Sequence, residues 1–172
     1  ADYLAGKDTA AETILARTDD AGQPQTALTR AALAATLGRD YAAQTGQGIQ
    51  TQQPPFADVS VFHYAAPYIG WAQAAGLLYG DSNGVFAPDR AVTRAELAAV
   101  LTRYAALCGK ELTAEPAEPT DADAIAAWAR DAACQLAGAG VLPLENGKFQ
   151  STQTVSRTDF DAILANFTAA LT

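Results

Sequence analysis

Val92-Thr93-Arg94-Ala95-Glu96-Leu97 decides the fold, because it has two copies: Leu28-Thr29-Arg30-Ala31-Ala32-Leu33 before it and Val155-Ser156-Arg157-Thr158-Asp159-Phe160 after it. The three arginines stand 64 and then 63 residues apart, a period that marks a repeat architecture. Each copy opens a stripe at helical spacing: Leu33, Leu37 and Tyr41 in the first, Leu97, Leu101, Tyr104 and Leu107 in the second, Phe160, Leu164, Phe167 and Leu171 in the third. Such stripes predict the buried faces of three related helices. The helix starts carry capping chemistry. Thr93 with Glu96 makes a capping box, in which the hydroxyl accepts from the N3 amide and the carboxylate reaches back to the cap. Ser156 with Asp159 repeats it with a shorter acid, and Thr29 keeps the hydroxyl but meets Ala32, which loses the reciprocal half.

Working outward from the second copy, Tyr64, Tyr68, Trp71 and Ala75 predict a helix over 62–75 with Gly76 as its C-cap. The loop Tyr79-Gly80-Asp81-Ser82-Asn83-Gly84-Val85-Phe86-Ala87-Pro88 is dense in turn residues and predicts a compact reversal before Val92. The third copy follows the same plan: a helix over 124–136, a stop at Gly138 and Gly140, and the loop Glu145-Asn146-Gly147-Lys148-Phe149. Asn83-Gly84 and Asn146-Gly147 occupy equivalent places, as do Phe86 and Phe149. The first copy is degenerate, with a short amphipathic stretch at 10–16 and Asp20-Ala21-Gly22-Gln23-Pro24 where the glycine-rich loop should be; its start is placed at or before Ala1. Stretches 44–55 and 111–120 are rich in Gln, Gly, Thr, Pro and Glu and read as connectors. The predicted units are 1–48, 54–110 and 118–172.

The 172 residues are 49% hydrophobic and 17% charged, with a net charge of -8 and no methionine. That balance suits packed helices and a folded unit or short repeat array. Eleven Lys and Arg residues form no run, which argues against nucleic acid or an anionic membrane as partner, and no apolar run is long enough for membrane insertion. A start at Ala1 reads as a processed product or a fragment. Cys108 and Cys134 lie in alanine-rich stretches and read as buried small hydrophobes, with a disulfide as the alternative. His63 is the only histidine, which argues against a Cys/His zinc site or a histidine triad. There is no nucleophile elbow, phosphate loop or poised carboxylate pair, so neither catalysis nor a cofactor is expected. Asp81, Asn83, Asp121 and Asp123 lack the spacing of a calcium loop and read as solvated loop residues, so no metal is expected.

Phe56-Ala57-Asp58-Val59, Trp71 to Gly80, Gly84-Val85-Phe86-Ala87-Pro88 and Val92-Thr93-Arg94-Ala95-Glu96 together resemble a repeat of the S-layer homology (SLH) family from end to end. The third unit is similar through Trp128-Ala129, Gly140-Val141-Leu142, Gly147-Lys148-Phe149 and Ser156-Arg157-Thr158-Asp159, and the first only through Leu28-Thr29-Arg30-Ala31 and the helix after it. The resemblance implies an all-α fold: three tandem helix-loop-helix repeats in a pseudo-threefold spindle around a shared helical bundle. It also implies grooves between repeats that bind an acidic secondary cell-wall polysaccharide, often pyruvylated, and thereby anchor a secreted protein at the cell surface. The alternative is a protein-docking or surface-layer self-assembly module with degenerate grooves.

The resemblance makes Arg30, Arg94 and Arg157 the glycan-binding residues, and electrostatics asks for an anionic partner at each. A cation at the first turn of a helix opposes the macrodipole at a cost of roughly 0.3–1 kcal/mol, so three such placements predict three anionic partners. One candidate partner is a ligand carboxylate gripped by the guanidinium and free helix-start amides. The other is an acidic side chain of the neighbouring unit, Asp58 or Asp121. Tyr64 and Trp128, 30 and 29 residues before their motif arginines, are candidate platforms for sugar rings, whereas Trp71 reads as core. Gly84 and Gly147 are candidates within the groove loops, and Thr93, Glu96, Ser156 and Asp159 read as helix-capping support. The groove of Arg94 is expected to be the best preserved, and Arg94→Ala to weaken binding with the fold intact.

Overall fold

Residues 26–50 and 53–172 are described by a computed structural model. Stretches 10–16 and 20–24, and the placement of the first unit's start, lie outside the described residues. Among the described residues the protein is all-α, with helices α1 (Arg30–Thr45), α2 (Ala66–Ala74), α3 (Arg94–Leu107), α4 (Ala127–Gly138) and α5 (Arg157–Ala170) and a 3-10 turn at Ala122–Ala124.

The three motif copies start α1, α3 and α5 at their arginines. Thr29 Oγ1 accepts from Ala32 N at 3.1 Å, Thr93 Oγ1 from Glu96 N at 3.2 Å and Ser156 Oγ from Asp159 N at 3.0 Å. Only Thr93 heads a complete box, with Glu96 Oε2 accepting from Thr93 N at 3.0 Å; Asp159, one methylene shorter, makes no return bond among the described residues. Leu33 and Leu37, then Leu97, Leu101 and Tyr104, then Phe160 and Phe167 are buried, as the stripes predict. In α5 the stripe also takes in Ile163, while Leu164 is half-buried.

The first helices of the second and third units are displaced from expectation. α2 starts at Ala66 rather than 62, because Pro67 in its first turn fixes a helical φ and the preceding residues form turns closed by His63 N to Ser60 O and Ala66 N to His63 O, both 2.9 Å. Tyr64 therefore sits before the helix instead of heading its stripe. α4 spans 127–138 instead of 124–136, since the chain first makes the 3-10 turn. Gly76 and Gly140 take left-handed φ values of 74° and 73° just past α2 and α4, and there Leu77 N and Val141 N return to Ala72 O and Leu136 O. Cys108 and Cys134 are free, half-buried thiols.

The residue before each cap hydroxyl joins a ring. Leu28 N donates to Val155 O at 2.7 Å, Val155 N to Val92 O at 3.0 Å, and Val92 N to Leu28 O at 2.9 Å. All three residues are buried, so this is how their backbone groups are satisfied away from water. The same exchange continues into the helices: Arg30 N and Ala31 N donate to Arg90 O and Pro88 O, Arg94 N and Ala95 N to Gln153 O and Ser151 O, and Arg157 N to Thr26 O. Amides that a helix start ordinarily leaves unpaired are thus held by the backbone of another copy. α1 packs on α2, and α3 on α4, so helix pairing crosses the predicted unit boundaries. At Gly38 the approach is so close that a Cβ would lie 2.6 Å from Tyr68 Cδ1.

Candidate functional site

Arg30 and Arg94 are each 8% exposed and make matching contacts. Arg30 Nε donates to Phe86 O at 2.8 Å and Nη2 to Tyr79 O at 2.5 Å, with Cζ 4.4 Å from the centre of the Phe86 ring. Arg94 Nε donates to Phe149 O at 2.7 Å and Nη2 to Pro143 O at 2.8 Å, with Cζ 4.9 Å from the Phe149 ring centre. Each guanidinium therefore latches its helix to the loop of the next copy, and Nη1 has no partner among the described residues. Burial lowers the pKa of Arg30; Arg90 adds to this, and Glu96 and Asp58 oppose it. Burial also lowers that of Arg94, where Glu145, Asp121 and Asp159 all oppose it.

Asp58 and Asp121 work on the same loops without pairing with these arginines directly. Asp58 accepts from Phe86 N at 2.9 Å and Ala87 N at 2.7 Å; Asp121 accepts from Phe149 N at 2.7 Å and Gln150 N at 2.9 Å. Burial alone would raise both carboxyls, but these N–H bonds outweigh it and hold them below the ordinary carboxylate value. The alternative ion pairs of Arg30 or Arg94 with Asp58 or Asp121 are replaced by acid-to-amide and arginine-to-carbonyl bonds. The expected free amides at the helix starts are likewise corrected, because the first three of α1 and of α3 are already bonded. What each of these arginines still offers a ligand is one edge of a clamped guanidinium.

Both arginines line a cavity. Arg30 lines a space of ≈ 630 Å³ with Tyr79, Asp81, Arg90, Glu96 and Trp128. It continues into a second space of ≈ 170 Å³ that shares Arg30, Tyr79, Glu96 and Trp128 and adds Leu77 and Arg103. Arg94 lines ≈ 240 Å³ with Glu145, Gln153, Asp159 and Asn166. The larger space thus belongs to Arg30, not Arg94. Trp128, from α4, is 60% exposed and stands beside Arg30.

Arg157 is exposed at the start of α5, and stretch 20–24, the loop position of the first copy, lies outside the described residues. Tyr64 is 59% exposed and stacks on His63 with ring centres 4.8 Å apart; it lines none of the three spaces. Gly84 and Gly147 sit at φ 73° and 76° and shape the loops rather than line these cavities. Trp71 is buried with its ring centre 5.5 Å from that of Tyr41. Sequence reasoning missed Tyr79, Arg90 and Arg103. Arg90 carried a visible signal, standing six residues before Glu96, and it meets that carboxylate in an ion pair at 2.6 Å.

The family profile described as S-layer homology domain matches residues 55–98, a span that holds α2, the loop with Phe86, the Arg90–Glu96 pair and the capping box of α3. Residues 55–98 are thus similar to an S-layer homology domain. Arg30 and Trp128 reach the loop of the matched span from outside it, so the larger cavity is completed by chain on both sides of that span. Cell surface glycoprotein 1 of Acetivibrio thermocellus is 27% identical over 153 residues, 85% of this chain and 7% of that protein. An uncharacterized cell wall amidase of Bacillus anthracis is 38% identical over 56 residues, 33% of this chain and 10% of the amidase. The chain thus matches only a small part of the length of either relative.

Proposed function

We propose that this chain is the anchoring portion of a cell-surface protein: three SLH repeats, at 1–48, 54–110 and 118–172, that hold their parent non-covalently on an acidic wall polysaccharide and catalyse nothing themselves. The three-repeat reading is supported by the closed Leu28, Val155, Val92 ring and the repeated arginine latch. The envelope location is supported by the SLH match and by relatives named as a surface glycoprotein and a wall amidase.

The observation that carries the glycan reading is the Arg30 cavity. Two carbonyls and the Phe86 ring already fix the guanidinium, so little side-chain freedom remains to be lost when a carboxylate docks on its free edge. Trp128 beside it offers a flat apolar face to a sugar ring. A pyruvyl ketal or uronic acid would supply the carboxylate. Arg157 and Tyr64 are assigned to a further groove, and Gly84 and Gly147 to shaping the loops that wall the first two.

The rival reading is protein docking or self-assembly, and it is favoured by an exposed apolar turn: Phe62 is 94% exposed beside exposed Val61 and Tyr64. Sedimentation of the chain with purified wall polysaccharide, before and after its carboxylates are removed, separates the two. We expect carboxylate removal to weaken binding strongly, and Trp128→Ala to weaken it at unchanged thermal stability, since that side chain is largely solvent-exposed. Binding indifferent to both changes would give the function to docking.

A further inference from the structure

The two arginine cavities are built on the same frame with opposite charge. Arg90 and Gln153 are counterparts, because each gives its backbone oxygen to the first amide of the helix headed by the latched arginine. Arg103 and Asn166 are counterparts as well, each lying nine residues after the motif arginine of its own helix. All four line the cavities in question. Around Arg30 stand the guanidinium groups of Arg90 and Arg103 and the carboxylates of Asp81 and Glu96. Around Arg94 stand Glu145 and Asp159, with amides where the two extra arginines were.

The bonding of these acids sharpens the difference. Glu96 is fully engaged, with both oxygens on Arg90 and one also on Thr93 N. Asp81 Oδ1 accepts from Asn83 N and Val85 N inside its own loop. Arg103 is exposed and holds Leu77 O through Nη1 at 3.3 Å, its Cζ 5.3 Å from the centre of the Tyr79 ring. In the other cavity, Asp159 lacks any arginine partner among the described residues, because Gln153 replaces Arg90, and Glu145 takes only the Gln150 amide on its side chain. Among the lining residues, Arg94 therefore faces two carboxylates alone, whereas around Arg30 three arginines face two carboxylates.

We propose that the two grooves are specialised by charge: the Arg30 groove takes the acidic segment of the glycan, selected by Arg90 and Arg103, and the Arg94 groove takes an uncharged sugar segment. This rests on the glycan reading above and goes beyond it by assigning different sugars to equivalent grooves. A carboxylate entering the Arg94 groove meets like charges at Glu145 and Asp159, which favours a neutral ring there.

The test is calorimetry with short fragments of acidic wall polysaccharide and with the same fragments after carboxyl reduction. It compares the unaltered chain, R90Q/R103N and Q153R/N166R, with a thermal melt of each to certify folding. The substituted side chains of Arg90, Arg103, Gln153 and Asn166 lie on the surface. We expect the unaltered chain to bind acidic fragments at a salt-sensitive site in the Arg30 groove, and R90Q/R103N to weaken that site about tenfold. Q153R/N166R should add one to the number of acidic fragments bound. Acidic binding that survives R90Q/R103N unchanged would overturn the specialisation and leave the glycan reading standing. Failure of the unaltered chain to bind either fragment would overturn both.

Discussion

Replacing Arg94 with alanine tests the latch, and the expected effect reaches the fold as well as any ligand. The side chain is 8% exposed, bonded to Phe149 O and Pro143 O, and packed over the Phe149 ring. Hydrogen bonds from a charged donor contribute about 1.5–3 kcal/mol each when dry. Here one bond is buried and the other only partly so. Truncation also relieves the desolvation of the guanidinium and admits water from the adjoining cavity to the freed carbonyls. The net loss is therefore about 2 kcal/mol, not the sum of two dry bonds, with a cation–π share of about 0.5–1 kcal/mol inside it. For a chain of this size that lowers Tm by about 4–8 °C. Arg94→Lys keeps the charge but not the fork, and should lie between the two. Differential scanning calorimetry of the three proteins reads this directly. A Tm for Arg94→Ala within about 1 °C of the parent would refute the claim that the guanidinium holds the loop. The fold-neutral outcome expected from sequence alone would then stand.

The complete capping box at α3 predicts that Glu96→Ala costs about 1 kcal/mol, since it removes the Thr93 amide bond and the half-exposed Arg90 ion pair. Asp159→Ala, which removes no return bond, should cost about half a kcal/mol or less by urea denaturation. Gly138→Ala should destabilise by about 1–3 kcal/mol, measured the same way, because a Cβ there would run into the Glu115 carbonyl of the connector on α4. Asp58 and Asp121 are held below their unfolded pKa, so their contribution is fully present above about pH 4 and disappears as pH falls through their folded values. Asp58→Asn with Asp121→Asn should flatten the acid limb of the stability profile; an unchanged limb would show that these carboxylates do not set it.

The helices were readable because helix formation is local: Thr93 and Glu96 three residues apart, and leucines at three- and four-residue spacing, fix where a helix starts and which face it buries. The start of α2 was misplaced because Tyr64 matches the stripe by spacing alone, while Pro67 has the stronger claim on where helical φ begins. The role of the arginines was half-readable. A cation at a helix N-terminus demands compensation, and the repeat period located all three such positions. The compensating groups around Arg30 and Arg94, however, are mainly carbonyls of Tyr79, Phe86, Pro143 and Phe149, and every residue has a carbonyl. No residue type announces that partner, so sequence reasoning named a ligand carboxylate, with Asp58 and Asp121 as the alternative.

The charge of each cavity was hidden for a different reason. The backbone exchange passes from copy to copy, so Arg30 faces a loop about fifty residues later in the chain and Trp128 about a hundred later. Aligning the copies one above another compares Arg94 with Arg30 and Glu96 with Asp159, but the groups that share a cavity with Arg30 come from the second and third copies. Arg90 against Gln153 and Arg103 against Asn166 look like surface drift in such an alignment. Only the order of the Leu28, Val155 and Val92 ring tells which copy answers which arginine, and with that order the two differences add in one groove and are absent from the other. A repeat protein that exchanges its loops in this way can change the lining of one groove without disturbing its neighbour, because the latch that holds the frame uses backbone oxygens and leaves the lining side chains free to vary.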